Sequence, residues 1–229
     1  MFLDGKQPVS SSAIQAPGHV SLVRPEVEHG TPRALTIEEI AETVEDYRRG
    51  AENAKKAGFD GVEIHGANNY LVEQFLFDTQ NDRTDKYGGS IENRMRFMLE
   101  VTDAVISVFG AARVGMHLSP RSWGPKFGDS DMKMVFTHVT QELEKRNIAF
   151  IFARENWLDE EIPEIGPNVI KANFSGVFIA NEKFDLESGE KALQENKADA
   201  IGFGIPAIAN ADLVDRYMAG AELNKPNFA

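Results

Sequence analysis

The chain has 229 residues, 42% of them apolar, a formal net charge of -12 and no cysteine. That is enough apolar material for one sizeable core and too little for several ordinary domains, and the acidic balance gives no electrostatic support to a nucleic-acid partner. The lack of cysteine excludes disulfides, zinc thiolate sites and cysteine nucleophiles and makes the cytoplasm the default compartment, while no run of about 18 uncharged apolar residues is present to cross a membrane.

Residues 1–34 carry Gly, Pro and Ser punctuation, including the polar run Ser10-Ser11-Ser12, and read as an irregular loop at the start of a single domain spanning 1–229. Thr36 and Glu39 form a capping box, after which Ile37, Ile40, Val44, Tyr47, Ala51 and Ala54 recur at helical spacing until Gly58. Short apolar runs then predict buried strands at 61–65, 114–118, 149–153, 176–180 and 200–204. Helical patterns separate them at 91–108, 132–145 and 186–195, and a last one follows at 211–218, behind Asn210 as an N-cap.

Alternation of this kind implies right-handed βαβ units and a parallel sheet covered by helices, so the class is α/β. A doubly wound sheet and a (β/α)8 TIM-type barrel both fit. The barrel gains because no Gly-x-Gly-x-x-Gly turn joins a strand to a helix. Only about five βα units can be found, however, which leaves two strand edges to be covered.

In a barrel the loops after the strands form the active face, which directs attention to Val62-Glu63-Ile64-His65-Gly66-Ala67-Asn68-Asn69-Tyr70. His65 at a strand end, Asn68 and Tyr70 offer two groups that hydrogen-bond an oxygen and one weak acid. The bland alternative has His65 and Asn68 capping the turn and Tyr70 packed in the core. Glu63 and Asp60 lie nearby without the spacing of a metal site, so no metal is expected. Trp123 and Phe127 fit a substrate lid and simple packing equally well.

Further along stand Gln74-Phe75-Leu76 and then Asn81-Asp82-Arg83-Thr84-Asp85-Lys86-Tyr87-Gly88-Gly89-Ser90-Ile91-Glu92-Asn93-Arg94. Together they resemble the long signature of the Old Yellow Enzyme family of FMN-dependent oxidoreductases. The resemblance continues through 114–120, 176–182 and 203–213, and so covers essentially the whole chain. It implies an FMN held at the C-terminal face of the barrel, reduced by NADH or NADPH and reoxidised by a small activated alkene, an enone or nitroalkene. His65 and Asn68 would bind the carbonyl or nitro oxygen of that alkene and stabilise the charge that develops on it. Tyr70 would protonate the α-carbon, a phenol being protonated at neutral pH because its usual pKa is about 10.

The same resemblance places the flavin phosphate against backbone amides near Ala180-Asn181 and Gly204-Ile205, and His117 beside the pyrimidine end of the ring. Two positions depart from the family pattern. His117 stands where an arginine is usual, and can supply that fixed positive charge only when protonated. Ile205 stands where a second arginine usually reaches the phosphate.

A larger departure lies at the front, where the family's Pro-Met-Thr and His-x-Gly-Arg segments have no counterpart. Met1 is therefore expected to be an internal methionine of a longer protein, with the chain beginning just after a third strand and forming an N-terminally truncated barrel. A homo-oligomer or a barrel-completing partner would then cover the open edges. The alternative function is a non-catalytic fragment acting as an oligomerising or interaction module.

Overall fold

A computed structural model describes residues 6–20, 23–121, 128–155 and 169–227; Trp123 and Phe127 lie outside them. The elements follow in chain order. Strand β1 (Val9–Ser10) pairs in parallel with β2 (Arg33–Ala34), and helix α1 (Ile37–Lys56) follows. Then come β3 (Val62–His65), α2 (Leu71–Leu76), α3 (Ile91–Phe109), a 3-10 turn at Ala111–Arg113, β4 (Val114–Leu118) and α4 (Met132–Lys145). The chain continues through β5 (Phe150–Arg154), α5 (Val169–Asn173), β6 (Val177–Asn181), α6 (Leu186–Gln194), β7 (Ala200–Gly202), α7 (Ile205–Ala209) and α8 (Leu213–Ala219).

The main sheet has five strands in the order β3-β4-β5-β6-β7, every neighbouring pair parallel. Strand order equal to chain order, with helices between, is the arrangement of a β/α barrel and differs from that of a doubly wound sheet. Among the described residues, β3 has no partner on its outer side and neither has β7.

Side-chain alternation sorts the two faces of the sheet. Ile64, Met116, Leu118, Ile151, Ala153, Phe178 and Ala180 are buried against the helices, together with Phe97, Met98, Val101, Phe136, Val139 and Leu143. The other face carries Glu63, His65, His117, Phe152, Arg154 and Asn181, which are less buried and polar toward the strand ends. Two glycines make room on that face. A Cβ on Gly115 would come 2.2 Å from the Phe150 ring, and one on Gly202 would come 2.7 Å from the Phe152 ring. Both side chains would be displaced.

The ends of α1 follow from its sequence. Thr36 accepts from the Glu39 amide and Glu39 returns a bond to the Thr36 amide, so the capping box forms. Helix α8 differs from expectation. Its N-cap is Asp212, and Asn210 instead terminates α7 and binds Pro206 and Asn224. The N-terminal stretch also differs from an irregular loop, because it holds the paired strands β1 and β2, and Ser10, Ser11 and Ser12 are buried. Ser11 donates to the carbonyls of Gln74 and Gln80, and Ser12 accepts from the Asp82 amide, so this polar run ties the loop to α2 and the segment after it.

Candidate active site

The polar residues of the open sheet face converge at the C-terminal ends of β3, β4, β5 and β6. His65 ends β3, and its ring centroid lies 4.9 Å from that of His117 on β4 and 5.5 Å from that of Tyr70. The chain then turns through Asn68 and Asn69, both left-handed with φ 59° and 61°. Asparagine tolerates that conformation better than most residues.

A buried carboxylate braces the turn. Glu73 accepts from the Asn69 amide at 2.6 Å and from the Ser119 hydroxyl at 2.5 Å, and Ser119 in turn accepts from the Asn68 amide at 2.8 Å. Glu73 and Ser119 are both fully buried, so the loop that presents Asn68 is held from beneath by the core. Tyr70 points away from that core with 62% of its surface exposed, which disposes of the packing alternative for this residue.

The imidazoles of His65 and His117 meet through their Nδ1 atoms, 3.1 Å apart. When both rings are neutral, one Nδ1 must carry the proton and the other the lone pair. Burial lowers the pKa of His117 to about 4, with His65 and Arg154 adding repulsion of the charged form. Burial also lowers that of His65 and raises that of the neighbouring Glu63. His117 is therefore neutral at physiological pH and does not carry the fixed charge of an arginine. Its Nε2 is buried and has no hydrogen-bond partner among the described residues.

Two residues outside the expected site positions complete the mouth. Arg154 at the end of β5 donates to Asn68 and to Glu182, which lies just beyond β6. The alternation of β5 would have shown Arg154 on the same face as Phe152, one strand from His117. The remaining expected positions separate. Ala180 is fully buried inside β6, paired with Ala153 and Ile201, and the Asn181 side chain donates to the Gly202 carbonyl at 2.6 Å. Gly204 and Ile205 are open at the start of α7, with no atom within 4 Å of a Cβ built on Gly204 and Ile205 55% exposed.

The sequence model of the NADH:flavin oxidoreductase / NADH oxidase family matches residues 3–224. The chain belongs to that family. Rice (Oryza sativa subsp. japonica) 12-oxophytodienoate reductase 1 is 39% identical over 234 residues, covering 97% of this chain and 59% of its own. Among solved structures, the old yellow enzyme homologue from Zymomonas mobilis superposes with a TM-score of 0.92 at 37% identity, over 99% of this chain and 65% of that one. Morphinone reductase gives 0.90 at 42% identity, over 98% and 63%. The chain thus spans less than two thirds of the length of these relatives.

Membership in the flavin oxidoreductase family gives the signature segment a structural meaning. Asn81 donates to the Phe75 and Tyr87 carbonyls, Arg83 donates to the Ser11 and Leu35 carbonyls, and Arg94 donates to the Leu76 and Gly89 carbonyls and to Asp129. These residues satisfy loop backbone beneath the sheet mouth, and the groups that could meet substrate come from other segments. The residues present also fit a bound flavin. The orphaned, buried Nε2 of His117 suits a ring heteroatom, and the open backbone at Gly204-Ile205 suits a phosphate. What the site lacks at both points is a fixed charge from residues 117 and 205.

Proposed function

We propose that this chain carries the active face of an FMN-dependent ene-reductase, which moves hydride from NADH or NADPH through the flavin to activated alkenes. The supporting observation is the grouping of His65, Asn68 and Tyr70 at the end of β3 beside the orphaned Nε2 of His117. His117 and the Gly204-Ile205 backbone would hold the FMN, with Asn181 bracing β6 against β7 beneath it. When bound, FMN supplies the hydride-carrying chemistry, which no side chain of this protein can supply.

The protein's own residues do the rest. His65 and Asn68 donate to the substrate's carbonyl or nitro oxygen and strengthen their hold as negative charge gathers there, an effect of about 2.7–4 kcal/mol per donor in comparable oxyanion sites. Tyr70 delivers its phenolic proton to the α-carbon. Its exposure and its ring contact with His65 support that role. Cytoplasmic location, a single 1–229 domain, and a second copy or completing strands along the outer edge of β3 belong to the same proposal.

The test is consumption of NADPH by the FMN-supplemented protein in the presence of cyclohexenone, compared with His65→Ala and Asn68→Ala. Enone-dependent turnover lost in both variants supports the reading. Turnover that is equal in all three places the reaction elsewhere.

A further inference from the structure

One charged side chain at the sheet mouth has no part in the reaction as described. Arg154 spreads its guanidinium between two loops. Nε and Nη2 donate to Oε2 and Oε1 of Glu182 at 3.2 and 2.7 Å, and Nη1 donates to Oδ1 of Asn68 at 2.5 Å. The two-point pairing with Glu182 fixes the plane of the group and therefore the direction of Nη1.

A guanidinium has donors and no acceptor, so the Asn68 atom that faces it is the amide oxygen. The amide nitrogen is thereby turned to the other side, where it lies 3.4 Å from Nε2 of His65. Without the arginine the two orientations of a carboxamide differ little in shape. With it, the wrong orientation sets donor against donor. Both ends of the chain of contacts sit on strained backbone, Asn68 at φ 59° and Glu182 at φ 90°. Non-glycine residues keep such conformations where the surroundings over-determine them, a condition met at functional sites more than elsewhere.

We propose that Arg154 is a positioning residue of the substrate-oxygen site: anchored by Glu182, it holds Oδ1 of Asn68 and so commits Nδ2 to the oxygen on which charge develops. This rests on the ene-reductase reading and assigns within it a residue that never touches the substrate. When Arg154 is removed, the amide presents oxygen to oxygen for part of the time, and the loss grows as that oxygen becomes negative. An interaction lost mainly in the transition state lowers kcat and kcat/KM together.

The experiment compares Arg154→Gln, Arg154→Lys and Glu182→Gln, each alone and combined with Asn68→Ala, using FMN-supplemented protein, NADPH and cyclohexenone. Arg154→Gln is expected to lower kcat and kcat/KM by about tenfold, with Arg154→Lys retaining most of the activity and Glu182→Gln falling between. In the Asn68→Ala background Arg154→Gln is expected to have no further effect, because the group it acts through is gone. A tenfold loss that persists in that background overturns the proposal.

A second readout needs no flavin. The side-chain NH2 resonances of Asn68, identified by their disappearance in Asn68→Ala, are expected to shift in Arg154→Gln and to stay close to their original position in Arg154→Lys. Unchanged resonances in Arg154→Gln overturn the proposal whether or not the protein turns over. A wild-type protein that takes no flavin while these resonances shift would sink the ene-reductase reading and leave the Arg154 contact standing.

Discussion

Nδ1 of His65 and Nδ1 of His117 stand 3.1 Å apart, and this contact makes the proton position on one ring depend on that of the other. For His65 to offer Nε2–H to a substrate oxygen, its Nδ1 must accept, and His117 must then be protonated on Nδ1 and bare on Nε2. An arginine at position 117 could only donate. In this tautomer His117 donates to His65 as an arginine would, so the substitution changes the charge at position 117 and not the sense of the contact.

Replacing His117 with arginine is expected to raise the reduction potential of the bound flavin, since a fixed cation favours the negatively charged reduced form. Stabilisation by about 1.4 kcal/mol corresponds to roughly 30 mV for a two-electron couple. Equilibrium titration of wild type and His117→Arg against a reference dye measures the difference. An unchanged or lower potential in the variant would place residue 117 away from the flavin.

The same pair predicts the acid response. His117 binds its proton near pH 4 when folded, against an ordinary 6.5, so between these values the unfolded chain holds more protons than the folded one. Its contribution is complete above about pH 6.5 and is lost as pH falls toward about 4. His65 acts in the same direction, and Glu63, with its raised pKa, opposes them. Melting temperatures at several pH values across this window should fall with acid in wild type and fall less steeply in His117→Gln. Parallel curves would remove His117 from the account.

Tyr70→Phe should separate the two halves of the reaction. The phenol is asked only to protonate carbon, so flavin reduction by NADPH should proceed at the wild-type rate while reoxidation by cyclohexenone slows by roughly a hundredfold or more. Stopped-flow absorbance resolves the two phases. Equal reoxidation in both proteins would assign the proton to solvent.

Arg94 and Asp129 form a buried ion pair 2.8 Å apart, and Arg94 also satisfies two carbonyls. Arg94→Leu leaves Asp129 buried without that partner and should cost about 3–5 kcal/mol, read from the urea unfolding midpoint. A loss under about 1 kcal/mol would mean that the pair is open to solvent.

Much of the fold was legible because helical and strand periods alternate cleanly and because Thr36 and Glu39 mark a start that the structure confirms. The helices α2, α5 and α7 were not, since five or six residues are too few for a period to declare itself. Residues 1–34 read as an irregular loop because local polarity cannot reveal that the Ser11 hydroxyl meets the Gln80 carbonyl and the Ser12 hydroxyl the Asp82 amide, about seventy residues away. Of the site, His65, Asn68 and Tyr70 share one strand end and could be named together. Arg154 and Glu73 reach it from other elements, and only their contacts in space give them meaning.

The measurement that bears most directly on this site is the visible absorption of the purified chain after FMN is added and the excess removed. The account predicts a protein-bound flavin spectrum that bleaches with NADPH and recovers with cyclohexenone, and that recovers slowly in His65→Ala. A protein that retains no flavin, or whose bound flavin neither bleaches nor recovers, would contradict it.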